Sequence, residues 1–152
     1  MLVYRIAKTG YISDLSGNGF RTYGGRWSPP GIPVVYTSQS RSLAALEFYV
    51  HANPRFMPPD ISIVELDVPD SVQVNSVGTS DLPADWHHYP APIALQEYGL
   101  KWFNAGKSLI LRVPSAQVKH EYNFLINPLH PDMRGVKILD VDIFLYDERL
   151  TV

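Results

Sequence analysis

Leu2, Val3 and Ile6, with Tyr4 between them, predict a first strand over residues 2–6. Apolar residues at 32, 34 and 35 predict a second over residues 32–37. The period then changes. Leu43, Leu46 and Val50 recur at the i, i+3, i+7 spacing of one helical face, and Ser38 or Ser40 supplies the cap of a helix over residues 40–51. Residues 61–68 are rich in β-branched side chains and predict a strand, with residues 72–75 a further short one. Pro92 fits the first turn of a helix that runs to about Asn104, with Gly106 near its end. Residues 108–113 predict a strand stopped by Pro114, and residues 122–126 and 136–146 predict the last two. Strands predominate, two helices accompany them, and no regular βαβ alternation occurs. This is an α+β pattern, and residues 1–152 suit one domain with its own core.

Residues 8–33 break the pattern. They are rich in Gly, Ser, Pro and aromatics and predict a long ordered loop around one short strand, with Phe20, Tyr23 and Trp27 favouring order. Hydrophobic residues make up 45% and charged residues 18% of the chain, which argues against disorder. The net charge of -2 comes without a basic stripe, so a direct nucleic-acid binder is disfavoured. Cysteine is absent, which removes disulfides, thiolate metal sites and cysteine nucleophiles. The first residues are too polar for a signal peptide and no apolar run would span a bilayer, so a cytoplasmic protein off the membrane is expected.

The chemistry concentrates in one span. Arg26 follows Gly24 and Gly25, Tyr36 lies in the second strand, and Glu47 sits inside the apolar stripe of the first helix. Glycines permit close approach, and an arginine so placed can fork onto a phosphate. A carboxylate on an apolar face needs a partner. Spacing alone leaves two readings with about equal weight: a site for a phosphate-bearing ligand and its sugar, or a structural ion pair between Arg26 and Glu47. Ser115 follows a strand but lacks the G-x-S-x-G elbow, so it suits a hydrogen-bonding role or a plain turn. Asn127, before Pro128, could bind a ligand amide or ribose, although an Asx-turn is the ordinary use of such a residue. The five histidines show no ligand spacing, and His87 and His88 would point apart in an extended segment, so no metal is expected.

The segments Gly25-Arg26-Trp27, Val35-Tyr36-Thr37-Ser38, Leu43-Ala44-Ala45-Leu46-Glu47, Val113-Pro114-Ser115 and Asn127-Pro128-Leu129-His130-Pro131, in this order, resemble the RES domain family, named for its arginine, glutamate and serine. The region from about Asp70 to Pro92 carries no matching motif. The resemblance implies a fold similar to ADP-ribosyltransferases and diphtheria-type toxins. It also implies the toxin of a bacterial toxin–antitoxin pair that acts on NAD as substrate, with no further cofactor. Some members degrade NAD by hydrolysis or phosphorolysis; others transfer ADP-ribose to a protein. A non-enzymatic interaction domain is the remaining alternative. By the resemblance Arg26, Tyr36, Glu47 and Ser115 form the site, with Glu47, Arg26 and Tyr36 catalytic and Arg26, Tyr36 and Ser115 binding NAD; Asn127 is the further candidate for an NAD contact. The expected protein partner is an Xre-type antitoxin that covers the cleft. Oligomeric state is not legible; a homodimer is compatible with the sequence.

Overall fold

The computed structural model describes residues 1–151. Seven strands form one mixed sheet: β1 (Leu2–Lys8), β2 (Val35–Ser38), β3 (Ile61–Asp67), β4 (Val74–Ser76), β5 (Ile110–Pro114), β6 (Tyr122–Ile126) and β7 (Lys137–Phe144). Their order is β4-β5-β6-β2-β1-β3-β7, and every neighbouring pair is antiparallel except β4 and β5. Three α-helices accompany the sheet: α1 (Asn18–Tyr23), α2 (Arg41–His51) and α3 (Ile93–Ala105). The α+β class and the strands at both ends of the chain agree with the sequence pattern.

Register fixes which side chains share a face. Tyr4 opposes Ser38, Tyr36 opposes Leu125, and Leu125 opposes Leu111, so these residues line one side of the sheet. On that side, Ala44, Ala45 and Phe48 of α2 pack on Ile6, Ile61 and Ile63. Leu95 and Trp102 of α3, together with Trp27, pack on Leu111, Val113 and Leu125. The opposite side buries Val3, Val35, Val64, Leu66, Ile110 and Ile126 under loop residues such as Ile12 and Val68. Both α2 and α3 pack on this face, and the candidate site is built on β2 and β6 of the same face.

Local chemistry explains the helix ends. The Ser40 hydroxyl accepts the backbone N–H of Leu43 at 3.1 Å, the expected N-cap of α2. Gly106 closes α3 with φ +58°, a left-handed conformation suited to glycine.

Several expectations are corrected. Lys8 closes β1, and residues 9–33 hold no strand; the regular elements there are a 3-10 turn at Thr9–Tyr11 and α1, with an isolated bridge between Gly25 and Ser28. The strand predicted over residues 108–113 begins at Ile110 and ends at Pro114, which is its last residue. Leu46 and Val50 are 38% and 48% exposed, so they do not form the buried stripe of α2. Leu43 and Ala44 do, with Phe48 packed beside them, and Glu47 falls on this inner side. His87 and His88 have ring centroids 4.6 Å apart, because their segment turns instead of extending. No helix among the described residues is long and apolar enough to cross a membrane.

Candidate functional site

The loop after α1 presents the arginine. Gly24 adopts φ +71°, and the backbone N–H of Gly25 donates to the carbonyl of Ser28 at 2.8 Å. Arg26 and Trp27 therefore occupy the tip of a tight turn. Trp27 points inward and is 2% exposed, while Arg26 is half-buried. A Cβ on Gly25 would stand 2.7 Å from the Tyr36 hydroxyl, so only glycine lets this turn lie against Tyr36. Gln96 of α3 braces the turn by donating to the Gly25 carbonyl at 3.0 Å.

Arg26 donates through Nη1 to the carbonyls of Trp86 at 2.8 Å and His88 at 3.0 Å. Burial lowers its pKa, while the charge of Glu47 is the larger of the two influences raising it. The two side chains are near enough to feel each other, yet no ion pair joins them. This removes the structural ion-pair reading. Both charges have other anchors.

Tyr36 accepts the backbone N–H of Trp27 at 3.1 Å, and its hydroxyl lies 2.9 Å from that of Ser28. Burial pushes its pKa up to about 12, against smaller opposing contributions from these hydrogen bonds and from Arg26. It is a neutral phenol at physiological pH. Phe20 of α1 covers one face of its ring, with centroids 4.0 Å apart at 27°.

Glu47 reaches the ends of β5 and β6. Its Oε1 accepts from the Ser115 hydroxyl at 2.9 Å and from Nδ2 of Asn123 at 2.6 Å. Asn123 in turn accepts from the Ser38 hydroxyl at 2.7 Å. Glu47 and Ser115 are thus joined directly, and Arg26 lies close enough to interact electrostatically with both Glu47 and Tyr36. Asn127 does not join them. It lies four residues along the β6 direction from Asn123, roughly 13 Å at about 3.3 Å per residue. Its side-chain oxygen accepts the N–H of Leu129 at 3.0 Å, the ordinary Asx-turn. In this structure the Asn127 side-chain oxygen is engaged by that turn and not by the Glu47 group.

Asn123, Ser38, Phe20 and the carbonyls of Trp86 and His88 escaped the sequence reading. A backbone carbonyl leaves no trace in residue types. Asn123 left one faint signal, a polar residue in an otherwise apolar and aromatic strand. Among the described residues no group of three His, Asp or Glu side chains could hold a metal ion. Two surface hollows lie away from the site residues, one lined by Pro54 and Tyr146 among others and another by Leu15 and Leu129.

Relatives extend the picture. A protein of Sphingobium sp. (strain YBL2), described as a Prs ADP-ribosylating toxin, is 41% identical over 95% of this chain and 91% of its own length. A protein of Photorhabdus laumondii subsp. laumondii, described as Toxin Res, is 37% identical over 99% of this chain and 97% of its own. The crystal structure of the M. tuberculosis MbcT-MbcA toxin-antitoxin complex contains a chain of similar fold, with a TM-score of 0.76 at 18% identity, covering 94% of this chain and 83% of that one. The model of the RES domain matches residues 2–148, and with full-length relatives at this identity the chain belongs to the RES domain family.

Proposed function

We propose that this chain is the toxin of a bacterial toxin–antitoxin pair and that it consumes NAD by cleaving the nicotinamide–ribose bond. The observation that carries the reading is the separation of Arg26 and Glu47: two opposite charges lie close enough to feel each other, each anchored by other groups instead of by its counterpart. A pyrophosphate and a ribose would answer them.

The chemistry follows from the arrangement. Departure of nicotinamide leaves an oxocarbenium-like ribose, as in glycoside cleavage. The Glu47 carboxylate stabilises that charge or holds a ribose hydroxyl. The guanidinium of Arg26 keeps Nε and Nη2 for the pyrophosphate while Nη1 stays on its two carbonyls. Tyr36, backed by Phe20, offers an aromatic surface for the nicotinamide ring. Nicotinamide leaves as a neutral molecule, so no strong general acid is required, and none of these steps calls for a metal.

The acceptor has two candidates with support. Hydrolysis or phosphorolysis would deplete NAD. Transfer of ADP-ribose to a protein is favoured by one observation, the 41% identical relative described as a Prs ADP-ribosylating toxin. The test is incubation with NAD labelled in its ADP-ribose half. Free label in ADP-ribose or its phosphate, with no labelled protein, supports depletion; label on a protein supports transfer. NAD left intact by the folded chain overturns both and favours an interaction domain.

An Xre-type antitoxin is the proposed partner, acting in the cytoplasm. Tyr23, Tyr89 and Ile93 are 86%, 91% and 73% exposed; Tyr89 directly follows His88, Tyr23 stands two residues before Gly25, and Ile93 stands three before Gln96. Exposed apolar side chains this near in sequence to the Arg26 network suit a covering protein. Mixing the purified pair and following NAD loss tests this. Occlusion predicts a complex that spares NAD, and a stable complex that consumes NAD as fast as the free chain contradicts it.

A further inference from the structure

The hydroxyl of Ser115 is fully committed inside the protein. Its oxygen accepts the backbone N–H groups of Gln117 at 3.0 Å and Val118 at 3.2 Å. A serine hydroxyl has two lone pairs and one proton. With both lone pairs taken by the turn, the proton goes to Oε1 of Glu47 at 2.9 Å. Nothing is left over for a ligand.

Asn123 is committed in the same direction. The Ser38 hydroxyl donates to Oδ1 of Asn123 at 2.7 Å, which orients the amide. Its Nδ2 then donates to Oε1 of Glu47 at 2.6 Å. The flipped amide would set its oxygen against the carboxylate, so the electrostatics agree with this orientation. Ser38 is 4% exposed and Ser115 is 4% exposed, so solvent competes little for either hydroxyl. Both donors converge on one oxygen of Glu47. Oε2 makes no hydrogen bond among the described residues.

We propose that Ser38, Asn123 and Ser115 are positioning residues that act on the reaction only through Glu47: they saturate Oε1, fix the carboxylate plane and leave Oε2 as the oxygen that meets the ribose. This deepens the reading of Glu47 given above and rests on it. It assigns a task to Asn123 and Ser38 and moves Ser115 from the ligand to the support of the carboxylate.

Two measurements test it. The first is steady-state NAD consumption by folded Asn123→Ala, Ser38→Ala and Ser115→Ala. A misaligned carboxylate lowers kcat, by about 10- to 100-fold for Asn123→Ala, while KM for NAD stays within about threefold. In a Glu47→Gln background the same substitutions cause little further loss, because their effect has no other route. A raised KM at unchanged kcat, or losses that multiply with that of Glu47→Gln, would mean direct ligand contact and overturn the proposal. The second needs no activity. In a 15N–1H correlation spectrum the Asn123 side-chain amide signals should shift in Glu47→Gln and in Ser38→Ala. Unmoved signals overturn the relay. If the wild-type chain leaves NAD intact while those signals move, the functional reading fails and the relay stands.

Discussion

Replacing Arg26 by lysine keeps the charge and removes the fork. In the native chain Nη1 serves the carbonyls of Trp86 and His88 at 2.8 and 3.0 Å, and the other nitrogens remain for a ligand. A lysine ammonium is a single point of donation. It can stay on the carbonyls or reach a phosphate, but it cannot span both. A hydrogen bond to a charged group contributes about 1.5–3 kcal/mol, and each 1.4 kcal/mol or so is tenfold in affinity. The guanidinium is half-buried, so solvent screening draws the loss toward the lower end of that range. Arg26→Lys should therefore weaken NAD binding by about tenfold or somewhat more. Titration calorimetry with NAD measures it, with a thermal melt as a control for folding. An affinity within about twofold of wild type, in a folded protein, would refute the phosphate fork.

Gly99→Ala should destabilise the chain severely, by about 3 kcal/mol or more, because the new Cβ would stand 1.6 Å from the Trp27 carbonyl oxygen and force α3 off the Arg26 turn. Urea denaturation reads this directly, and a change below about 1 kcal/mol would contradict the packing. Tyr36 has a folded pKa of about 12 against an ordinary 10.0. Because the folded value is raised, its contribution to stability is full below about pH 10 and is lost as the pH climbs to 12. Stability should fall across that window, and Tyr36→Phe should flatten the fall while lowering stability at neutral pH by about 1–3 kcal/mol, since the Trp27 N–H loses its acceptor. An unaltered alkaline profile in Tyr36→Phe would contradict the assignment.

Much of the scaffold was legible in residue order. The strand over residues 122–126 matches β6, and the Ser40 cap marks the start of α2. These are local signals: β-branched and aromatic runs, and a hydroxyl before a helix. The inner face of α2 was misjudged because Leu46 and Val50 are apolar but exposed, and hydrophobicity alone does not state which side meets a sheet. Helix α1 escaped because its six residues begin after Gly17 in a left-handed conformation, and Phe20 is held by Tyr36, sixteen positions on rather than next door. The site divided in the same way. Arg26, Tyr36 and Glu47 stand within one span of sequence. Asn123 is 76 positions from Glu47, and only the pairing of β2 with β6 brings it there. Asn127 was drawn in by its motif, and its Asx-turn accounts for it locally.

The central claim is that the Glu47 carboxylate, set opposite Arg26, drives cleavage of NAD. Its most direct test is the rate of nicotinamide release by the purified wild-type chain and by Glu47→Gln, with equal folding verified by circular dichroism and thermal melts. The substitution nearly preserves shape and removes the charge. Release by the wild type is expected, with a loss of about 100-fold or more in Glu47→Gln, in line with removing a charge-stabilising group from a transition state. Release by folded Glu47→Gln at near the wild-type rate would contradict the claim.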